Sequence, residues 1–185
     1  MVHQAGPEAE DHRLSTPDDT ALPELTRRLQ QLAVVRGISV GTAESCTGGL
    51  IGHSVTALAG SSAYYRGGVV SYADEVKTAL LDVPAATIEH HGAVSAQVAV
   101  AMAEGVRHHI GCDYGIAATG VAGPDGGTAA KPVGLTYVAV AGPAGHEVRR
   151  HVWDGDRTAN KEHSAAAALQ LLLDVLGTTE PGEGP

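Results

Sequence analysis

Apolar side chains recur with helical spacing at Leu22, Leu25, Leu29, Leu32 and Ala33, with Pro23 near the front of the stripe and Gly37 beyond its end. The stripe predicts a helix that has Pro23 in its first turn and runs to about Arg36, where Gly37 stops it. Ile38 to Ala43 reads as a strand, and Leu50 to Val55 opens a helix that should stop near Gly60. Gly67 to Tyr72 predicts a second strand, and Asp74 to Leu81 a short helix stopped before Pro84. Ser95 is placed to cap a longer helix to about His109, with Val98, Met102 and Val106 on its buried stripe. Tyr114 to Thr119 is another strand, and Val133 to Ala141 pairs with Glu147 to Trp153 across the turn signal Gly142-Pro143-Ala144-Gly145. Asp156 or Thr158 caps a final helix whose Ala165 to Leu176 segment is nearly all apolar, hence packed or in an interface. Strands separated by helices, with one hairpin, predict an α/β fold: a three-layer α/β/α sandwich with a mixed sheet, in a single domain over residues 21–177. Residues 1–20 mix Pro, Glu, Asp and His without periodicity and read as a disordered tail; residues 178–185 read as a flexible one.

Composition narrows the class. A chain of 185 residues fits one domain able to bury about 70% of its unfolded surface, so no covalent staple is required. Its two cysteines, Cys46 and Cys112, are far apart and form no CxxC, which fits a reducing cytoplasm and suggests neither disulfides nor a zinc site. The first residues contain no apolar signal core, and no run of 18 apolar residues occurs, so neither export nor membrane insertion is expected. The net charge of −9 is concentrated in the two ends, leaving a mildly acidic core. Together with one Trp, five Tyr and no Phe, this argues against a nucleic-acid partner while leaving room for a local phosphate pocket. Ten histidines include the pairs His90-His91 and His108-His109, but adjacent residues diverge and no HExxH occurs, so no metal is expected.

The candidate chemistry lies where the first strand meets Glu44-Ser45-Cys46-Thr47-Gly48-Gly49 and a helix follows. A hydroxyl at a strand-to-helix turn is held in one orientation, and the amides of Thr47, Gly48 and Gly49 at the helix start could stabilise an oxyanion or a phosphate. The alternatives are that Ser45 merely caps the helix, or that Cys46 is the nucleophile. Lys77, 32 residues beyond Ser45, is the candidate base. A serine–lysine pair needs a neutral lysine, whereas an ordinary one titrates near about 10.4; the alternative is a solvated helix lysine. The loop Thr119-Gly120-Val121-Ala122-Gly123-Pro124-Asp125-Gly126-Gly127-Thr128 matches neither a P-loop nor GxGxxG and reads as a wall of backbone amides with Thr119 as a hydroxyl donor. Arg157, opening the last helix, could clamp a phosphate or carboxylate, or simply pair with Asp154.

Six motifs occur in order: Glu44-Ser45-Cys46-Thr47-Gly48-Gly49, Gly68-Val69-Val70-Ser71-Tyr72 with Lys77, Gly92-Ala93-Val94-Ser95, Ala118-Thr119-Gly120-Val121-Ala122-Gly123-Pro124, Lys131-Pro132-Val133-Gly134, and Gly155-Asp156-Arg157. Together, over about residues 22 to 176, the chain resembles the CinA C-terminal family. The resemblance implies a metal-independent, cofactor-free hydrolysis of the carboxamide of nicotinamide mononucleotide, giving nicotinate mononucleotide and ammonia. It places Ser45 on the nucleophile, Lys77 on the general base, Tyr72 on a pocket tyrosine, and Thr119 and Arg157 on substrate contacts. It also implies a homodimer, to which the apolar last helix and the Gly60 to Arg66 connection add a hint. The family usually carries an apolar residue and an arginine where Asn160 and Lys161 stand here. Competing readings are a Ser-Lys amidase for another small amide and a non-catalytic nucleotide-binding or competence-associated module.

Overall fold

The computed structural model describes residues 10–11 and 21–178. In chain order the strands are β1 (Glu10–Asp11), β2 (Val40–Glu44), β3 (Tyr65–Val70), β4 (Tyr114–Gly120), β5 (Leu135–Gly142) and β6 (Gly145–Val152). The helices are α1 (Ala21–Arg36), α2 (Leu50–Thr56), α3 (Asp74–Leu81), α4 (Ala85–His91), α5 (Ala96–Ile110) and α6 (Arg157–Thr178). The sheet runs β1-β6-β5-β4-β2-β3. Strand β2 lies parallel to both β3 and β4, β4 and β5 pair antiparallel, and β5 and β6 form the expected hairpin. The two-residue β1 joins the far edge parallel to β6, within a stretch expected to be a tail. The remainder of that tail, and residues 179–185, lie outside the described residues.

Side chains alternate across the strands and so divide the interior into two cores. Tyr114, Ile116 and Ala118 of β4, with Val138 and Val140 of β5, pack against α1, α2 and α6. Ala117, Ala139 and Ala141 face the other way, onto α5 and Leu81 of α3. The sheet is therefore covered on both sides, as a three-layer α/β/α fold requires. Leu169, Leu171, Leu172 and Leu176 of α6 are essentially inaccessible, and burial of each contributes roughly 2 kcal/mol. The apolar last helix is thus consumed inside the chain, as is Tyr64 of the connection before β3.

Three boundaries depart from expectation. Helix α4 follows Pro84, where no helix was read, because its seven residues bury none of their side chains and so carry no apolar stripe. Strand β3 begins at Tyr65 and ends before Ser71-Tyr72. Helix α6 continues through Gly177 to Thr178. No helix among the described residues is long and apolar enough to cross a membrane.

Helix α5 approaches α3 so closely that only glycine fits at position 105, where an added Cβ would lie 2.0 Å from the Leu81 carbonyl oxygen. Helix propensity alone predicts that Gly105→Ala gains about 1 kcal/mol, but an overlap with backbone costs about 1–3 kcal/mol and is the larger effect. Urea unfolding of Gly105→Ala is expected to show a net loss of about 2 kcal/mol. A variant more stable than the parent would show that α3 and α5 are not packed this closely.

Candidate active site

Everything at the site starts from the C-terminal end of β2. The chain leaves β2 for β3 on one side and later reaches β4 on the other, which opens a crevice above the strand ends at the point where strand order reverses. Pairing continues one residue past the strand: the Ser45 amide donates to Ala118 O (2.9 Å), and the Ser71 amide donates to Glu44 O (2.8 Å). Gly48 (φ 63°) and Gly49 (φ 98°) then turn the chain into α2 through left-handed backbone open to glycine.

The buried Glu44 side chain points to the α2 side, where Oε2 accepts from the Gly49 and Ile51 amides (both 3.0 Å) and Oε1 from the Gly52 amide (2.8 Å). The first turn of α2 is therefore filled by an internal carboxylate. This corrects the expectation that the helix-start amides face the substrate: Gly49 N–H serves Glu44, and Gly48 N–H serves Ser45 O (3.1 Å). Among the described residues the Cys46 and Thr47 amides have no carboxylate or backbone-carbonyl partner, and both lie against the Cys46 sulfur. Ser45 is not a helix cap, since α2 begins at Gly49 with no side-chain cap and Glu44 satisfies the turn.

Ser45 lies on the opposite side of the sheet from Glu44. Ala43 and Val69 are in register and both face the α5 core, so Ser45 and Ser71, two residues further on, come side by side on that face. Lys77 of α3 is held near these strand ends through the carbonyl of Tyr72, the residue after Ser71; at 1% exposure it is not a solvated helix lysine. Its Nζ donates to Tyr72 O and to Asp74 Oδ1, each at 3.2 Å. Among the described residues no hydrogen bond joins Nζ to Ser45 Oγ. Ser71 is completely buried and its Oγ has no partner.

The mouth of the site is made by the starts of α3 and α6. Tyr72 is exposed, and its hydroxyl accepts from an Arg157 guanidinium nitrogen (3.1 Å) whose neighbour donates to Gly123 O (2.6 Å). Arg157 thus spans the site instead of pairing with Asp154. One turn along α6 stands Lys161, unremarked as a site residue by its type alone. Its Nζ lies 3.8 Å from where a Cβ on Gly48 would be, and no carboxylate or carbonyl among the described residues holds it. Asn160 between them is buried, giving Nδ2 to Ala122 O (3.0 Å) and Gly155 O (2.9 Å) and accepting from Gly155 N–H (3.1 Å). Asp156, one of the two expected caps, accepts from Ala159 N–H (2.9 Å).

Other expected contacts have internal explanations. The Thr119 hydroxyl donates to Ala93 O (2.8 Å), so its proton is not free for a substrate. A Cβ on Gly120 would meet Leu135 O at 2.5 Å and one on Gly123 would meet Val133 at 2.6 Å, so packing demands both glycines. Cys46 is buried, and burial foremost, with the Glu44 carboxylate adding to it, pushes its thiol up to about 12. It is a poor nucleophile at neutral pH. The histidines are not all superficial: His151 is buried and stacked on Trp153, with ring centroids 4.7 Å apart.

A serine at a strand-to-helix turn, a buried lysine and two cations at the strand ends of an α/β sheet define a candidate small-molecule site. Comparison with known proteins makes the class specific. The CinA C-terminal domain family matches residues 23–176, and the chain belongs to that family. A CinA-like protein of Citrifermentans bemidjiense is 47% identical over 163 residues, covering 87% of this chain and 39% of the relative. A CinA-like protein of Salinibacter ruber is 52% identical over 135 residues, covering 73% and 33%. The chain thus spans about two fifths or less of the length of these curated relatives. A crystal structure of competence damage-inducible protein A from Klebsiella pneumoniae superposes with a TM-score of 0.84 at 34% identity, covering 87% of this chain and all of that one. The competence/damage inducible protein of Agrobacterium tumefaciens gives 0.81 at 39% identity, covering 89% and 99%.

Two outcomes follow from this geometry. Glu44→Ala leaves three amides without an acceptor, and each bond to a charged group is worth about 1.5–3 kcal/mol, non-additively; a loss of about 4 kcal/mol is expected in urea unfolding, and a smaller one for Glu44→Gln. A loss below about 1 kcal/mol for the alanine variant would contradict the anchoring role. Native protein at pH 8 should leave both cysteines unlabelled by a thiol reagent that modifies them in denaturant, because burial raises Cys112 as well. Fast native labelling of Cys46 would refute its assigned state. Since the folded Cys46 thiol releases its proton later than the unfolded one, its contribution to stability is intact below about pH 9 and is lost as pH rises from there toward about 12.

Proposed function

We propose that this chain hydrolyses the carboxamide of nicotinamide mononucleotide to nicotinate mononucleotide and ammonia, with Ser45 as nucleophile and Lys77 as general base. The observation that carries this reading is a buried amine bonded to the carbonyl of Tyr72, next to the Ser71 that pairs beside Ser45 at the strand ends, with Arg157 bonded to the Tyr72 hydroxyl and Lys161 beside Gly48. Ser45 Oγ attacks the amide carbon, made electrophilic by the cationic pyridinium ring, as its proton passes to neutral Lys77. The amides of Cys46 and Thr47 would receive the developing oxyanion, since Gly49 is taken by Glu44. Protonated Lys77 then donates to the departing nitrogen, and ammonia leaves. Water enters, is deprotonated by Lys77, and cleaves the acyl-enzyme to the carboxylate.

The substrate's phosphate needs cations, because the helix N-terminus beside Ser45 is already occupied by a carboxylate. Arg157 and Lys161, four residues apart on one face of α6, supply them. Lys161 keeps the charge that an arginine provides elsewhere in the family, but as a point charge instead of a fork. Binding at this remote end orients the amide over Ser45.

The test is ammonia release from nicotinamide mononucleotide in EDTA, with nicotinamide and nicotinamide riboside as comparison substrates. Turnover of the mononucleotide is expected to exceed that of both, to survive EDTA, and to fall at least about 100-fold in Ser45→Ala and in Lys77→Ala. A folded protein that binds the mononucleotide without turnover would overturn the reading in favour of a binding module. Equal turnover of the riboside would redirect it to a different small amide.

A further inference from the structure

We infer that Ser71 is a proton relay between Ser45 and Lys77, so that the site works through a Ser–Ser–Lys chain. The inference rests on the amidohydrolase reading above. Its starting observation is an anomaly: the Ser71 hydroxyl is completely buried and has no hydrogen-bond partner. A buried hydroxyl left unpaired costs about 1–3 kcal/mol, and an alanine would avoid that cost with little loss of packing. The residue therefore needs a reason to carry oxygen.

Its surroundings supply one. The Ser71 amide is bonded to Glu44 O, which locks the residue beside Ser45 at the strand ends. The parity of β2 and β3 turns both serines to the face that Ala43 and Val69 share, and Lys77 Nζ is bonded to the carbonyl of Tyr72, the residue after Ser71. Lys77 Nζ already serves Tyr72 O and Asp74 Oδ1, and a lysine amine has capacity for one further hydrogen bond. Ser71 thus stands between the two groups along the backbone, paired beside Ser45 on one side and one residue from the carbonyl that holds Nζ on the other, with its own hydroxyl left unpaired. A hydroxyl both donates and accepts, so it can pass a proton between two groups that do not touch.

In the forward step Ser45 Oγ bonds to the amide carbon while its proton moves to Ser71 Oγ. The original Ser71 proton moves at the same time to neutral Nζ, which becomes an ammonium. When the C–N bond breaks, the ammonium returns its proton through Ser71 to the leaving nitrogen, and ammonia departs. Ser71 ends each half-reaction as it began, and water is the only co-reactant.

The experiment compares steady-state hydrolysis of nicotinamide mononucleotide by the full chain and by Ser71→Ala, Ser71→Thr and Ser71→Val, with thermal unfolding of each. Thr and Val are nearly the same shape, so the pair isolates the hydroxyl. The relay predicts that Ser71→Ala and Ser71→Val lose about 100-fold in kcat with KM within a factor of about 3, that Ser71→Thr recovers most of the rate, and that Ser71→Ala melts no lower than the parent. Parent turnover with an unimpaired Ser71→Ala overturns the relay and leaves the amidohydrolase reading standing. Equal losses in Thr and Val, or a loss confined to KM, also overturn it by pointing to shape. No turnover by the parent removes the reading and the relay together.

Discussion

The buried carboxylate of Glu44 is the interaction on which the rest of the site depends. It sits where β2 ends, and it binds the three amides with which α2 begins. A buried charge is tolerated only when hydrogen-bonded, and the positive end of a helix is among the few places where backbone alone can do this. The strand-to-helix turn between the two is thereby pinned at both ends. Because neighbouring residues of a strand face opposite sides, the side chain that anchors the turn forces the next one, Ser45, to the other side. The anchor and the position of Ser45 are thus two consequences of a single backbone path.

That arrangement decides where an anion could be held. A helix start is ordinarily an anion site, but here it has been used internally. The cations must come from another element, and they come from α6, where Arg157 and Lys161 extend from the first turns of a helix whose later turns are leucine core. One helix therefore couples the stability of the fold to the geometry of the site mouth. Arg157 reaches across to Tyr72, whose backbone carbonyl holds Lys77, so the mouth and the buried amine share a residue.

Most elements were legible from periodicity and punctuation. The helices with an apolar stripe, the hairpin and the Ser95 cap, which accepts from Val98 N–H, appear where the pattern puts them. Helix α4 was not legible, because a helix that buries nothing leaves no stripe to read. At the site, Ser45 and Lys77 announced themselves by residue type and by a resemblance built on ordered motifs. Glu44 did not, although an acid at the end of a buried strand, five to eight residues before free helix amides, was the available signal. Glycines misled in the opposite direction. Gly120 and Gly123 looked like room for a ligand, but the space beside them is filled by Leu135 and Val133. A glycine in sequence marks close approach without saying what approaches.

Asn160 shows how a departure from family pattern can be absorbed. An apolar residue there would contribute roughly 1.5–3 kcal/mol by burial alone. Asparagine buries as fully and makes three hydrogen bonds, each worth about 1 kcal/mol net, against the cost of desolvating its amide, so the exchange is close to neutral in stability. Its effect lies in geometry. Apolar contact lets a loop slide, whereas bonds to Ala122 O and to both polar groups of Gly155 fix the loop after β4 to the start of α6 in one register. Gly123, next to Ala122, holds Arg157 through its carbonyl. The same guanidinium is therefore positioned twice, through its own bond and through the brace behind it.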